Sequence, residues 1–287
     1  MTAEIVLQSV VSGLMFGGVI GLVAVGVSLI WGIMDLINFA YGEYLMWAMY
    51  LTFFLWATLG LEPILSAPIN AVVLFVAGVV TYRFVIRAVL RGPIFAQMLS
   101  TFGLLVLLRY VAWLLFRPDD RQAQSVLATS VLTVGGLRVS GGELVAFAGS
   151  LLATSVLFAF LKCTKTGKAL RALAQDREAA VALGIDADRL YALAWGLSTA
   201  AAGVAGGLVS SFMYVNPLVG DVFLLPAFAA VALGGFGNVY GAVGGGLVIG
   251  VVNVTGGTLT VPKVKLALVY LVFLGVLFLR PKGLWGR

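Results

Sequence analysis

Histidine is absent from this 287-residue sequence, and cysteine occurs once, at Cys163. The first absence removes the commonest general base and metal ligand; the second excludes an internal disulfide framework and a cysteine-based metal cluster. Charge is scarce as well: Asp, Glu, Lys and Arg make up 10% of the chain, against roughly 25% in a soluble domain. No Lys or Arg precedes Arg83, so the N-terminal region lacks the positive stretch of a secretory signal peptide, and its first apolar segment is expected to be retained. What is abundant is apolar side chain, at 61% of residues. A water-soluble core cannot hide that much, so the bilayer must act as part of the solvent.

The hydrocarbon layer is about 30 Å thick, which takes roughly 20 helical residues to cross. Apolar segments of that order run over 5–31, 41–60, 64–86, 94–116, 143–161, 190–213, 222–236, 239–257 and 264–280. Stretches such as Val19 to Ile30, Ala71 to Val80 and Leu266 to Leu279 are apolar nearly throughout, unlike the alternating strands of an outer-membrane barrel. The reading is an all-α, polytopic transmembrane bundle of eight or nine segments, one domain over 1–287. The segments around 222–236 and 239–257 are short and joined by Gly234, Gly235, Phe236, Gly237 and Asn238, which favours broken or re-entrant helices there.

The formal net charge of +6 reflects membrane orientation, since the basic residues flank apolar spans and form no stripe for nucleic acid. Arg83, Arg87 and Arg91 mark one cytoplasmic loop. Lys162, Lys165, Lys168, Arg171, Arg177 and Arg189 mark a second, and Arg280, Lys282 and Arg287 mark a cytoplasmic C-terminus. The 117–142 connection then falls outside, and its Gly-Gly and Thr/Val-rich stretch suits a small hairpin. An outside N-terminus follows if nine segments cross; one broken segment reverses it.

Glycine reaches 36 residues, with Gly13, Gly17 and Gly21 spaced by four, as are Gly203 and Gly207, and Gly237, Gly241 and Gly245. Small residues at that spacing let helix backbones approach closely in lipid. The tryptophans Trp31, Trp47, Trp56, Trp113, Trp195 and Trp285 fall toward segment ends, as interfacial anchors do. Asn253-Val254-Thr255 matches a glycosylation sequon, but inside an apolar segment the match is accidental.

Chemistry-bearing residues are few. Asp35 and Glu43 flank Asn38 and Tyr41 between the first two segments. Two readings stay open: a hydrated junction at the membrane surface, or a broken region lining a solute path, with Asn38, Tyr41 and Glu43 meeting a zwitterion. Arg109 suits snorkelling or an internal ion pair rather than substrate contact. Asn216, Pro217 and Asp221 occupy an outward turn, either a plain loop or a docking point for a binding protein. Nucleotide motifs are missing: Gly167-Lys168 lacks the upstream glycine of a phosphate-binding loop, and Gly235-x-Gly237 lacks the third glycine of a dinucleotide fingerprint.

The 162–189 loop is long and helix-prone. Leu170, Leu173, Ala174 and Val181 recur on one side of a helix, Lys168, Arg171, Gln175 and Glu178 on another, and Gly184 ends it. Such a basic helix suits anionic headgroups, or a soluble partner that pushes on the bundle.

Glu178, Ala179, Ala180, three residues and Gly184 resemble the EAA-x-x-x-G core of the coupling loop in permeases of ATP-driven importers. The later Ile and Leu-Pro of that loop are absent, a departure from the commonest importer type. The chain instead resembles the branched-chain amino-acid permeases of the LivH type, through Trp31 to Tyr44 (WGIMDLINFAYGEY), Gly167 to Gly184, and Leu224 to Val243 (LLPAFAAVALGGFGNVYGAV). The resemblance implies a permease subunit of an ATP-binding-cassette importer in the bacterial inner membrane, moving branched-chain amino acids by alternating access. It implies no catalytic site and no bound cofactor, ATP being used by separate ATPase subunits that dock on the loop through Gly167, Lys168, Arg171, Asp176, Glu178, Ala179 and Gly184. It also implies a second, LivM-type permease and a periplasmic solute-binding protein. Another small solute such as urea, an amide or a different amino acid is the alternative cargo, and an ion-coupled secondary transporter or a membrane enzyme are the rival classes.

Overall fold

The structure, a computed structural model, describes residues 3–134, 136–259, 264–280 and 283–285. Lys282 and Arg287, read as part of a basic tail, lie outside the described residues. The chain opens with α1 (Ala3–Met34) and α2 (Tyr41–Leu59). A 3-10 turn over Pro63–Ser66 leads into α3 (Ala67–Thr81), which continues through a π-helical turn to the short α4 (Arg87–Val89). Then come α5 (Ile94–Phe116), the single turn α6 (Val126–Thr129), strands β1 (Val131–Val134) and β2 (Leu137–Ser140), and α7 (Gly141–Cys163). The remainder is α8 (Lys165–Gln175), α9 (Arg177–Ala182), α10 (Ala187–Val209), α11 (Val219–Gly234), α12 (Val239–Leu259) and α13 (Lys265–Leu279).

Among the described residues, six helical stretches are long and apolar enough to cross a membrane: Glu4–Met34, Pro63–Val89, Ile94–Phe116, Gly141–Cys163, Ala187–Val209 and Val239–Leu259. α11 and α13 are shorter apolar helices, and α2 has 19 residues with a high share of Tyr and Trp. The expected break in 239–257 is absent. Its glycines sit inside one continuous helix of 21 residues, because each helical backbone group bonds within its own segment while the missing side chains admit a neighbour. Of the two segments expected to be broken, α11, at 16 residues, is the short one.

α1 and α10 form the enclosed centre, with Val19, Ile20, Val23, Ala194, Ala202 and Ala205 fully buried. α5 turns Phe95, Leu99, Phe102, Leu107 and Leu114 outward, as a lipid-facing helix does.

The glycine stripes decide which helices touch. A Cβ on Gly13 would stand 2.7 Å from the Val251 Cα, and one on Gly17 would stand 2.9 Å from the Leu247 Cα. Gly246 and Gly250 answer from α12 by seating the backbone of Gly21 and Gly17. Gly203 and Gly207 of α10 receive Asn70 and Ala67 of α3, and Gly241 and Gly245 of α12 receive Gly234 and Ala230 of α11. Polar side chains supplement this packing: Asn70 Nδ2 donates to Thr52 Oγ1 at 2.7 Å and to the Ala48 carbonyl at 3.2 Å, tying α3 to α2.

The small hairpin forms as expected, β1 pairing antiparallel with β2. Gln8 clasps it, donating to the Arg138 carbonyl at 2.6 Å and accepting from its N–H at 2.8 Å. The start of α1 therefore lies on the same side of the bundle as the 117–140 connection. One tryptophan departs from the anchoring expectation. Trp195 is fully buried in α10, because that helix is enclosed along its whole middle. Asn253 is buried in α12 as well, out of reach of a glycosylating enzyme.

The close approach of α1 and α12 leaves no room for a branched side chain. Gly17→Val is expected to destabilise the protein by about 1–3 kcal/mol or more through overpacking. The control Gly103→Ala, with open space around it, leaves the thermal-unfolding midpoint in detergent unchanged or raised. Equal midpoints for the two variants would remove the packing role assigned to the stripe.

Candidate functional site: the loop helices and a buried ion triad

The loop after α7 owes its shape to three caps. Thr164 Oγ1 accepts from the Gly167 N–H at 2.9 Å and starts α8 one residue beyond α7. Gly167 is buried against the end of α7, where a Cβ would stand 2.6 Å from the Leu161 Cα. Leu170 and Leu173 then pack into the bundle.

The expected single helix over the loop is two. Asp176 leaves the helical region at φ −151°, and its Oδ1 accepts from the Ala179 N–H at 3.0 Å to cap α9. An aspartate with a free N–H three residues ahead competes with continued helix, and here it wins. The break also turns the buried face. Ala180 goes inward, while Ala174 and Val181, expected on the bundle side, are exposed. Gly184 ends α9 at φ +84°, a left-handed conformation that glycine adopts without a Cβ penalty. Asp186 caps α10 in turn, accepting from the Arg189 N–H at 3.2 Å.

Of the seven residues proposed for coupling, Lys168, Arg171, Asp176, Glu178, Ala179 and Gly184 are thus exposed, and Gly167 is the packing point beneath them. The structure adds neighbours that spacing did not reveal. Arg83, Arg87 and Arg91 share a cavity of about 690 Å³ with Arg177, Asp186 and Asp188. Arg87 Nε pairs with Asp188 at 3.0 Å, and the Tyr82 hydroxyl donates to the same carboxylate at 3.0 Å. The charge pattern had placed the two loops on one side; nothing in it pairs them.

The junction between α1 and α2 is interior, which overturns its reading as a hydrated surface turn. Asn38, Tyr41 and Glu43 are at most 1% exposed. Asn38 Oδ1 accepts from the Ala40 N–H at 3.0 Å, and the Tyr41 hydroxyl donates to the Ser198 carbonyl of α10 at 2.9 Å. Asp35 alone is exposed, in the left-handed region at φ 52°. Glu43 Oε1 accepts from Arg109 Nε at 3.1 Å and from Nη2 at 2.5 Å. The same Nη2 reaches Asp221 Oδ1 at 2.6 Å. Arg109 is therefore an internal ion pair, as one of its readings held. Its second partner, 112 positions along the chain, has no local sequence signal.

This triad joins α2, α5 and α11, running from the sealed Glu43 to the half-exposed Asp221. An unpaired buried charge there costs far more than a paired one gains. Among the described residues, no group of three or more His, Cys, Asp or Glu converges as a metal site.

Arg109→Met strands the Glu43 carboxylate and is expected to cost about 3–5 kcal/mol. The double change Glu43→Gln with Arg109→Met recovers most of that loss. Unfolding in detergent of the four members of this cycle checks it, and strictly additive effects would contradict the pairing.

The family model for the permease component of the branched-chain amino acid transport system matches residues 9–277. The chain is 28% identical to the high-affinity branched-chain amino acid transport system permease protein BraD of Pseudomonas aeruginosa, over 98% of this chain and 96% of that one. It is 29% identical to the LivH permease protein of the corresponding Escherichia coli system, with the same coverage. A probable LivH permease protein of Methanocaldococcus jannaschii is 31% identical over 83% of this chain and 77% of that one. No solved structure matches. With all but the outermost residues of the bundle inside the matched range, the chain belongs to the family of permease components of branched-chain amino acid transport systems.

Proposed function

We propose that this permease forms half of a two-permease pore and takes its driving force through α8 and α9. A multi-pass membrane permease of such a system is a transport component without a catalytic site; it binds no cofactor, and ATP is hydrolysed on partner ATPase subunits. The other subunits are, on this reading, a pair of ATPases, a second and related permease chain, and a periplasmic solute-binding protein that delivers branched-chain amino acids. The membrane is the bacterial inner membrane. The basic loops and Arg280 face the cytoplasm, following the positive-inside rule.

The observation that carries the coupling assignment is the construction of the loop. Leu170 and Leu173 fix α8 to the bundle, and Asp176 and Asp186 cap the helices that follow. Lys168, Arg171, Glu178 and Ala179 remain on the outside. A force applied to the outer face passes into the bundle through the buried one, instead of being lost in a flexible linker. Gly167 serves by letting α8 lie against α7. Substrate passes alongside the interior junction of Asn38, Tyr41 and Glu43, whose unpaired polar atoms, Asn38 Nδ2 and Glu43 Oε2, keep hydrogen-bonding capacity in reserve.

Glu178→Arg reverses one exposed charge that makes no ion pair among the described residues, so the fold should tolerate it. Uptake of radiolabelled L-leucine driven by ATP is expected to fall to background while membrane insertion is unchanged. The ATPase subunits should co-purify less well. Wild-type uptake in both Glu178→Arg and Gly184→Trp would reject the coupling assignment.

A further inference from the structure

On the side of the bundle opposite α8 and α9, a cavity of about 370 Å³ opens beside Arg109 of the ion triad. Arg109, Tyr110 and Trp113 of α5 line it, with Pro118 beyond that helix and Asn216, Pro217 and Leu218 just ahead of α11. Its rim is two chain segments held together. Arg121 N–H donates to the Val215 carbonyl at 3.0 Å, Val215 N–H returns the bond at 2.7 Å, and Asn216 Nδ2 donates to Asp120 Oδ1 at 2.7 Å.

Arg109 faces two carboxyl groups, Glu43 and Asp221. Glu43 is sealed at 1% exposed, whereas Asp221 is 45% exposed and open to a further partner. The arginine has capacity left. Its bonds leave from Nε and Nη2, so Nη1 carries two N–H donors with no partner among the described residues. The cavity thus has Arg109 in its wall among Tyr110, Trp113, Pro118 and Leu218, and the half-exposed Asp221 carboxylate is bonded to that arginine just outside the lining.

We propose that this cavity is a solute site for a zwitterionic aliphatic amino acid. The α-carboxylate lies on Arg109 Nη1 and the α-ammonium on Asp221, and the aliphatic side chain packs on Trp113, Pro118 and Leu218. The choice of amino acid rests on the transport reading above; the demand for paired ammonium and carboxylate comes from the triad. Glu43 acts as a positioning residue, holding the arginine fork by two bonds so that its third nitrogen faces the cavity.

A thiol at the mouth reports occupancy. Leu218 is 60% exposed, so Leu218→Cys combined with Cys163→Ala places this chain's sole cysteine there, in the full transporter reconstituted in proteoliposomes, and the same transporter without Leu218→Cys supplies the background. Its rate of modification by a membrane-impermeant methanethiosulfonate is read without ATP. L-Leucine is expected to slow the reaction, whereas 4-methylpentanoate, lacking the ammonium, and 3-methylbutylamine, lacking the carboxylate, do not. Adding Asp221→Asn should raise the L-leucine concentration for half-protection by about tenfold or more, the usual effect of losing a charged hydrogen bond.

No protection by L-leucine, equal protection by either analogue, or an unchanged half-protection concentration in assembled Asp221→Asn transporter would overturn the proposal. Should Asp221→Asn fail to assemble, the analogue series on the intact triad decides by itself. Glu178→Arg separates the two readings: it should abolish uptake and leave protection intact, so failure of either is recognisable without the other.

Discussion

Lipid tails are as apolar as leucine, so membrane helices gain little from hiding greasy surface from one another and must be held by contact and by hydrogen bonds. Everything else in this protein depends on how that requirement is met between α1 and α12. Glycines at intervals of four on both helices bring backbone against backbone, and the pair forms a spine on which α10, α7 and α11 are arranged. Dispersion energy falls off steeply with separation, so a gap of even one methyl group would forfeit much of the attraction.

Two polar features stand on that spine, at opposite ends of the bundle. At one end, caps and a buried leucine pair shape the loop after α7 into two short helices packed on the bundle. At the other, an arginine is shared between carboxylates from two helices, which fixes α2, α5 and α11 at a common depth. Helices that meet through smooth glycine faces interlock few side chains, whereas the triad ties three helices through charged hydrogen bonds.

The helical class, the segment limits and the sites of close packing were legible because each leaves a periodic trace. Long apolar runs mark crossings, and glycines spaced by four mark a shared face. The hairpin near residue 135 was readable from its turn chemistry. Less visible were features that depend on distant partners. Glu43 and Asp221 are separated by most of the chain, and no local pattern announces that both meet Arg109. The break at Asp176 lay within a helical periodicity and turned on a single capping bond, which buried Ala180 and left Val181 exposed. Trp195 misled for a related reason: position within a segment says nothing about whether the whole segment is enclosed.

α11 has only 16 residues and so extends about 24 Å, less than the hydrocarbon thickness. The irregular chain before it, from Ser210 to Leu218, must therefore find partners for its peptide groups in neighbouring protein. Some come from Val209 and Leu208, and two come from Arg121 across the rim. This makes the two connections a single structural unit despite their separation in sequence. An insertion or deletion in either one should persist in descendants only alongside a compensating change in the other, so lineages that differ in one length should differ in both.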